Sequence, residues 1–141
     1  MNISFTVKGN PQALKRHRTV RRGKFIGQYD PSQDDKADFL SLAHKFAPEK
    51  PIDLPIKLRV VCVFQRPKNH YRTNGEVKHQ FQDQPHTKKP DADNLVKFIM
   101  DSLNGVFWRD DCLIYAVEAV KQYGDVPLTE VTINWETIYD V

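Results

Sequence analysis

Lys89-Pro90-Asp91-Ala92-Asp93-Asn94-Leu95-Val96-Lys97, running on through Phe98 to Asp111, is the stretch from which the rest of this 141-residue chain can be read. Pro90 holds the residue before it extended, so a helix begins no earlier than Asp91. Asp91 is a good N-cap, and the spacing predicts helix from Ala92 to Leu103, stopped by Asn104-Gly105. At about 100° per residue, Leu95, Phe98, Ile99 and Leu103 gather on one face, assigned to the core. Asp93, Lys97 and Asp101, spaced i, i+4, i+8, form a charged stripe on the other side. Val106-Phe107-Trp108 is expected to be a brief extended segment that brings Asp110 and Asp111 back to the helix start.

Carboxylates held close together repel one another unless a cation sits between them. A helix start crowded with aspartates offers hard oxygen ligands, for which Mg²⁺ is the natural guest. Spacing alone also suits a plainer reading. Acidic residues near a helix N-terminus favour the macrodipole, and Asp93–Lys97 is an ordinary ion pair worth about 0.3 kcal/mol.

A resemblance separates the two. Lys89-Pro-Asp-Ala-Asp-Asn-Leu-Val-Lys97, then Asp101-Ser-Leu-Asn-Gly105, then Trp108-Arg-Asp-Asp111, is similar to the signature of the RusA-type Holliday-junction resolvases. Several residue types at fixed offsets carry it, so it is more specific than a lone Asp-x-Asp. Gly9-Asn10-Pro11 and Tyr29-Asp30-Pro31 extend the likeness more weakly. The resemblance implies Mg²⁺-dependent cutting of branched DNA, the four-way junction above all, by a homodimer of phage or prophage origin working in a bacterial cytoplasm. Asp91 and Asp93 match the first two catalytic aspartates, Lys97 the catalytic lysine and Asp111 the third aspartate, with Asp110 its acidic neighbour. Asp91, Asp93, Asp111 and Asp110 are thus the candidate metal ligands. Val106, Phe107, Trp108 and the strand after Asp111 are candidates for the dimer interface, although core packing explains them equally well.

Composition fits one soluble globular domain spanning 1–141, with 40% apolar and 28% charged residues. Apolar runs fall short of bilayer length, and the start Met-Asn-Ile-Ser-Phe-Thr lacks the charged and apolar regions of a signal peptide, so an intracellular location is expected. Cys62 and Cys112 are both expected in strands as buried, reduced thiols. Net charge is only +3, but its distribution is uneven: Met1 to Tyr29 holds no acidic residue, while Lys8, Lys15, Arg16, Arg18, Arg21, Arg22 and Lys24 all fall there. That segment, with Lys88 and Lys89, suits contact with DNA phosphates. A solvated basic loop is the alternative.

In chain order, Ile3, Phe5 and Val7 alternate as a strand, ended by Gly9-Asn10-Pro11. A basic loop follows, with a hairpin around Arg22-Gly23 as one arrangement; Phe25 and Tyr29 are expected to pack under the sheet, with stacking on bases as the alternative. Asp30-Pro31 predicts an N-cap and a helix to about Phe46. Ile56 to Phe64 is the strongest strand, apolar on both faces toward its end and so central. Lys68 to Lys89 lacks periodicity and is expected to be a flexible basic flap. Leu113 to Tyr123 and Val131 to Trp135 read as an antiparallel pair joined by a Gly/Pro loop. Glu118 is either an extra ligand near Asp111 or a solvated strand-end residue. The class is α+β: one mixed sheet with two helices, in the order strand-helix-strand-helix-strand-strand. A nuclease for other branched nucleic acids, a DNA-binding phage protein and a purely structural charged face are the competing functions.

Overall fold

A computed structural model describes residues 1–137. The chain is α+β, with two helices, α1 (Gln33–Ala43) and α2 (Ala92–Leu103), on a mixed four-stranded sheet. The sheet strands are β1 (Asn2–Lys8), β4 (Ile56–Gln65), β5 (Ile114–Gly124) and β6 (Leu128–Trp135), in the order β1-β6-β4-β5. A separate two-stranded hairpin, β2 (Arg18–Arg22) with β3 (Phe25–Tyr29), stands between β1 and α1. It turns at Gly23, whose φ of 60° suits the first position of a two-residue hairpin turn.

β4 is central because both its faces are apolar: Ile56, Leu58, Val60 and Cys62 are buried on one, Val61 and Val63 on the other. A strand of that kind needs partners on both edges. It has antiparallel β6 on one side and parallel β5 on the other, the latter reached through α2. The expected β5–β6 hairpin is therefore wrong. Gly124 of β5 pairs with Gln65 and Leu128 of β6 with Val63, so the Asp125–Pro127 link straddles the end of β4. Gly124 is required at this crossing, since a Cβ there would stand 2.6 Å from Val63 Cγ1.

Helix α2 forms where the sequence predicts, with Asp91 at the N-cap and Leu95, Phe98, Ile99 and Leu103 buried. Its apolar face meets α1 through an edge-on contact of Phe98 with Phe39, their ring centroids 5.8 Å apart. Helix α1 starts later than expected. Ser32, not Asp30, is its N-cap, and the Asp30 carboxylate instead accepts the Ser32 N–H at 2.9 Å. Beyond α2 the chain does not extend. Val106–Trp108 turns tightly, with Phe107 and Trp108 fully buried, so these two are core residues of the protomer and cannot form a dimer contact. Ile52 holds the turn from outside, donating to the Phe107 carbonyl and accepting from the Arg109 N–H, both at 2.9 Å.

The passage from Lys68 to Lys89 is held down, contrary to the expected flexible flap. The His70 and Phe81 rings stack at 4.1 Å, those of His86 and Phe64 at 3.9 Å, and both imidazoles lean on Tyr123. Tyr71 donates to Asp125 at 2.8 Å, Arg66 to the Phe81 carbonyl at 3.0 Å, and the His86 N–H to Lys121 at 3.2 Å. Both imidazoles are buried, and neither Nδ1 has a partner. Burial, then the charges of Arg66, Lys88 and Lys78 on His70 and of Lys121 on His86, pulls their proton affinity below the ordinary histidine value.

Two outcomes follow from this packing. Cys62 is buried, its thiol pushed up to about 11 chiefly by burial, whereas Cys112 is exposed in a short 3-10 turn, not buried in a strand. A thiol reagent should therefore label one cysteine in the native protein and two in urea. As for the histidines, the unfolded passage binds protons that the folded one refuses, so its stability is complete above pH 6.5 and falls as pH drops below that value. Trypsin cutting within 68–89, normalised at each pH to its cutting of an unfolded peptide of the same segment, should be faster at pH 5.5 than at 7.5, and H70F/H86F should remove most of that difference.

Candidate active site

The start of α2 exposes three of the residues singled out by sequence. Asp91 lies extended at the cap without using its carboxylate as a capping acceptor, which leaves both oxygens open. Asp93, in the first turn, reaches Lys97 at 3.8 Å, with both side chains more than half exposed. A pair this exposed is worth only a few tenths of a kcal/mol and exchanges partners readily.

Asp111 is organised differently. Its carboxylate accepts the indole N–H of Trp108 at 2.7 Å, and its backbone N–H is held by the Asp110 carboxylate at 2.9 Å. A buried indole needs an acceptor, so the burial of Trp108 fixes one Asp111 oxygen. Partial burial raises the proton affinity of Asp111 above the ordinary aspartate value. The Trp108 hydrogen bond opposes that shift, while the charges of Asp101 and Asp110 add to it. On α2, therefore, the carboxylate that Asp111 feels is Asp101, whereas the sequence suggested the helix start. Asp93 and Asp101 are separated by about 12 Å of helix rise. Among the described residues, no three His, Cys, Asp or Glu side chains are already gathered closely enough to hold one metal ion.

The open Asp91 carboxylate and the Asp111 carboxyl, whose charge is disfavoured by burial and then by its acidic neighbours, are hard oxygen donors of the kind a divalent cation takes, although they are not gathered around one point. Asp101 had been seen only as part of a stripe. Its 3.8 Å pairing with Lys36, which also holds Asp30 at 2.7 Å, depends on how α1 packs against α2. Glu118 is exposed and pairs with Arg59 at 3.2 Å, which fits the solvated reading.

The basic loop is tied to the helix start at one point, and Lys88 and Lys89 precede it in the chain. Leu14 donates its N–H to the Asn94 carbonyl at 3.0 Å, which ties the basic loop to the first turn of α2. Lys15 lies 3.6 Å from Asp35. Arg16 is exposed, and Arg18, Arg21 and Arg22 stand exposed on β2. Lys88 and Lys89 are exposed just before Asp91, with the Lys88 carbonyl accepting from Lys121.

The family model of the endodeoxyribonuclease RusA matches residues 8–134. The chain belongs to the RusA endodeoxyribonuclease family. A relative from Bacillus subtilis (strain 168), the uncharacterized protein YqaN, is 32% identical over 138 residues, covering 94% of this chain and 95% of its own. The match takes in α2, Asp110-Asp111 and the hairpin, so none of the candidate site residues lies outside it. No helix among the described residues is long and apolar enough to cross a membrane.

The Trp108–Asp111 bond can be tested by itself. Trp108→Phe keeps most of the buried ring but removes the donor to a carboxylate. It should cost about 1–3 kcal/mol in urea unfolding, the range of a hydrogen bond to a charged group.

Proposed function

We propose that this chain is a Mg²⁺-dependent, structure-specific endodeoxyribonuclease that resolves Holliday junctions by paired nicks, as a homodimer serving DNA recombination and repair. The observation that carries the reading is the family's Asp-x-Asp, lysine and Asp-Asp pattern, intact in a family member whose basic loop is hydrogen-bonded to the same helix turn.

Asp91, Asp93 and Asp111, assisted by Asp110, would hold the cation. A divalent ion there supplies a Lewis acid for the phosphoryl oxygens and acidifies water. Before it binds, mutual repulsion keeps the carboxylates apart, and the exposed Asp91 and Asp93 side chains have the freedom to converge. Asp111 would be the fixed member because Trp108 holds it. Lys97, held to Asp93 only by a weak exposed pair, would supply a compact positive charge to the phosphate being transferred. Lys15, Arg16, Arg18, Arg21, Arg22, Lys88 and Lys89 would meet the DNA backbone on either side of the helix start, positioning the duplex arms without reading sequence.

A four-way junction is close to two-fold symmetric, and its resolution needs two opposed nicks. A C2 dimer presents two equivalent sites in matching geometry. A phage-encoded protein acting in a bacterial cytoplasm is the setting the family resemblance implies.

A synthetic four-way junction incubated with the protein and Mg²⁺ should yield paired nicks, and EDTA should stop them. Asp93→Asn and Asp111→Asn should each lower the rate by at least about 100-fold, the scale of losing one preorganised electrostatic group. Junction binding should hold or tighten, because a charge repelling phosphate is removed. Linear duplex or forked DNA cut as fast as the junction would contradict the assignment to four-way junctions, and Asp93→Asn cutting at the parental rate would contradict the site.

A further inference from the structure

The hairpin of β2 and β3 carries more than positive charge. Its register pairs Arg18 with Tyr29, Val20 with Gly27 and Arg22 with Phe25. Residues paired across antiparallel strands share a face, and successive pairs alternate faces. One face therefore presents Arg18, Val20, Arg22, Phe25, Gly27 and Tyr29 together. Contrary to the expectation that these aromatics pack under the sheet, Phe25 is 70% exposed and Tyr29 52%. The Phe25 ring lies beside Gly27, where a Cβ would stand 3.0 Å from one of its ring carbons.

Stability gives no reason for this arrangement. A two-stranded hairpin is marginal in water, and rings left in solvent contribute nothing to a core. The charge on the same face narrows what covers it. A second copy laid face to face would set arginines against arginines, with no acid anywhere from Met1 to Tyr29 to offset them. A polyanion carrying flat apolar faces fits both features. In duplex DNA those faces are hidden within the stack, whereas at a branch point whose arms are splayed apart the terminal pairs of the arms expose them.

We propose that this hairpin face is a stacking platform for the bases at the centre of a DNA junction, with Phe25 and Tyr29 against base faces and Arg18 and Arg22 on the flanking phosphates. The inference rests on the nuclease reading above and adds to it the source of selectivity. The arginines bind any DNA backbone, and the rings bind only where bases are uncovered.

The test uses an Asp93→Asn background, so that substrate persists, and two probes: a four-way junction with 2-aminopurine at the crossover, and a linear duplex of equal length. F25L/Y29L should weaken junction binding by at least about 5-fold, the lower end for one lost base stack, and abolish the 2-aminopurine response. Duplex affinity should change less than about two-fold, since backbone charge dominates it. R18Q/R22Q should weaken both probes alike. The proposal is overturned if F25L/Y29L leaves junction binding and fluorescence intact, or lowers affinity equally on both probes. Conversion of F25L/Y29L to a smaller sedimenting species than its parent would also overturn it, because the face would then join two copies of the chain. A protein with Phe25 and Tyr29 intact that shows no preference for the junction would sink the nuclease reading and this inference with it. Normal junction cutting by the active form of F25L/Y29L would sink the inference alone.

Discussion

A buried indole must place its N–H on an acceptor, and here the acceptor is a carboxylate. Trp108 is fully buried and donates to Asp111 at 2.7 Å. That one bond couples the core to the candidate site. The turn after α2 cannot relax without exposing a large aromatic ring, and Asp111 cannot swing away without leaving the indole unsatisfied in an apolar setting. The resulting cost appears in Asp111 itself, whose proton affinity rises through burial and through the charges of Asp101 and Asp110. A cation would relieve the repulsion that the core imposes.

The rest of the scaffold keeps that turn rigid while leaving the opposite face of α2 open. β4 lies between β5 and β6 because it is apolar on both sides, and the crossover from β4 to β5 must pass through α2. The helix docks by Leu95, Phe98, Ile99 and Leu103, which orients Asp93, Lys97 and Asp101 outward. The groups proposed to move are thus the exposed ones at the helix start, and the group proposed to stay is the one bonded to the core.

What the sequence made readable was local. The bounds and buried face of α2, the central place of β4 and the hairpin around Gly23 all come from short-range signals: proline, caps, periodicity and glycine. What it hid was pairing between distant segments. Leu113 to Tyr123 and Val131 to Trp135 look like a hairpin because they are adjacent in sequence, yet β4 enters between them. The Asp101–Asp111 proximity, the Lys36 bridge and the exposure of Cys112 likewise depend on tertiary packing that no window of residues encodes. The 68–89 passage shows no periodicity because the common partner of His70 and His86, Tyr123, lies far along the chain on β5.

Phe25 and Tyr29 differ from these cases. The sequence places them in or just after a basic loop, with a hairpin around Arg22-Gly23 as one arrangement, and the expectation that large aromatic residues pack inward is sound for most domains. It fails here because none of the described residues forms a layer beneath the hairpin: every residue of β2 is exposed, and in β3 only Gly27 is even half-buried. Where local preference and burial disagree in this way, folding is not what holds the residues in place, and a partner is the physical alternative. The arginines on that same face say which sign of charge the partner carries.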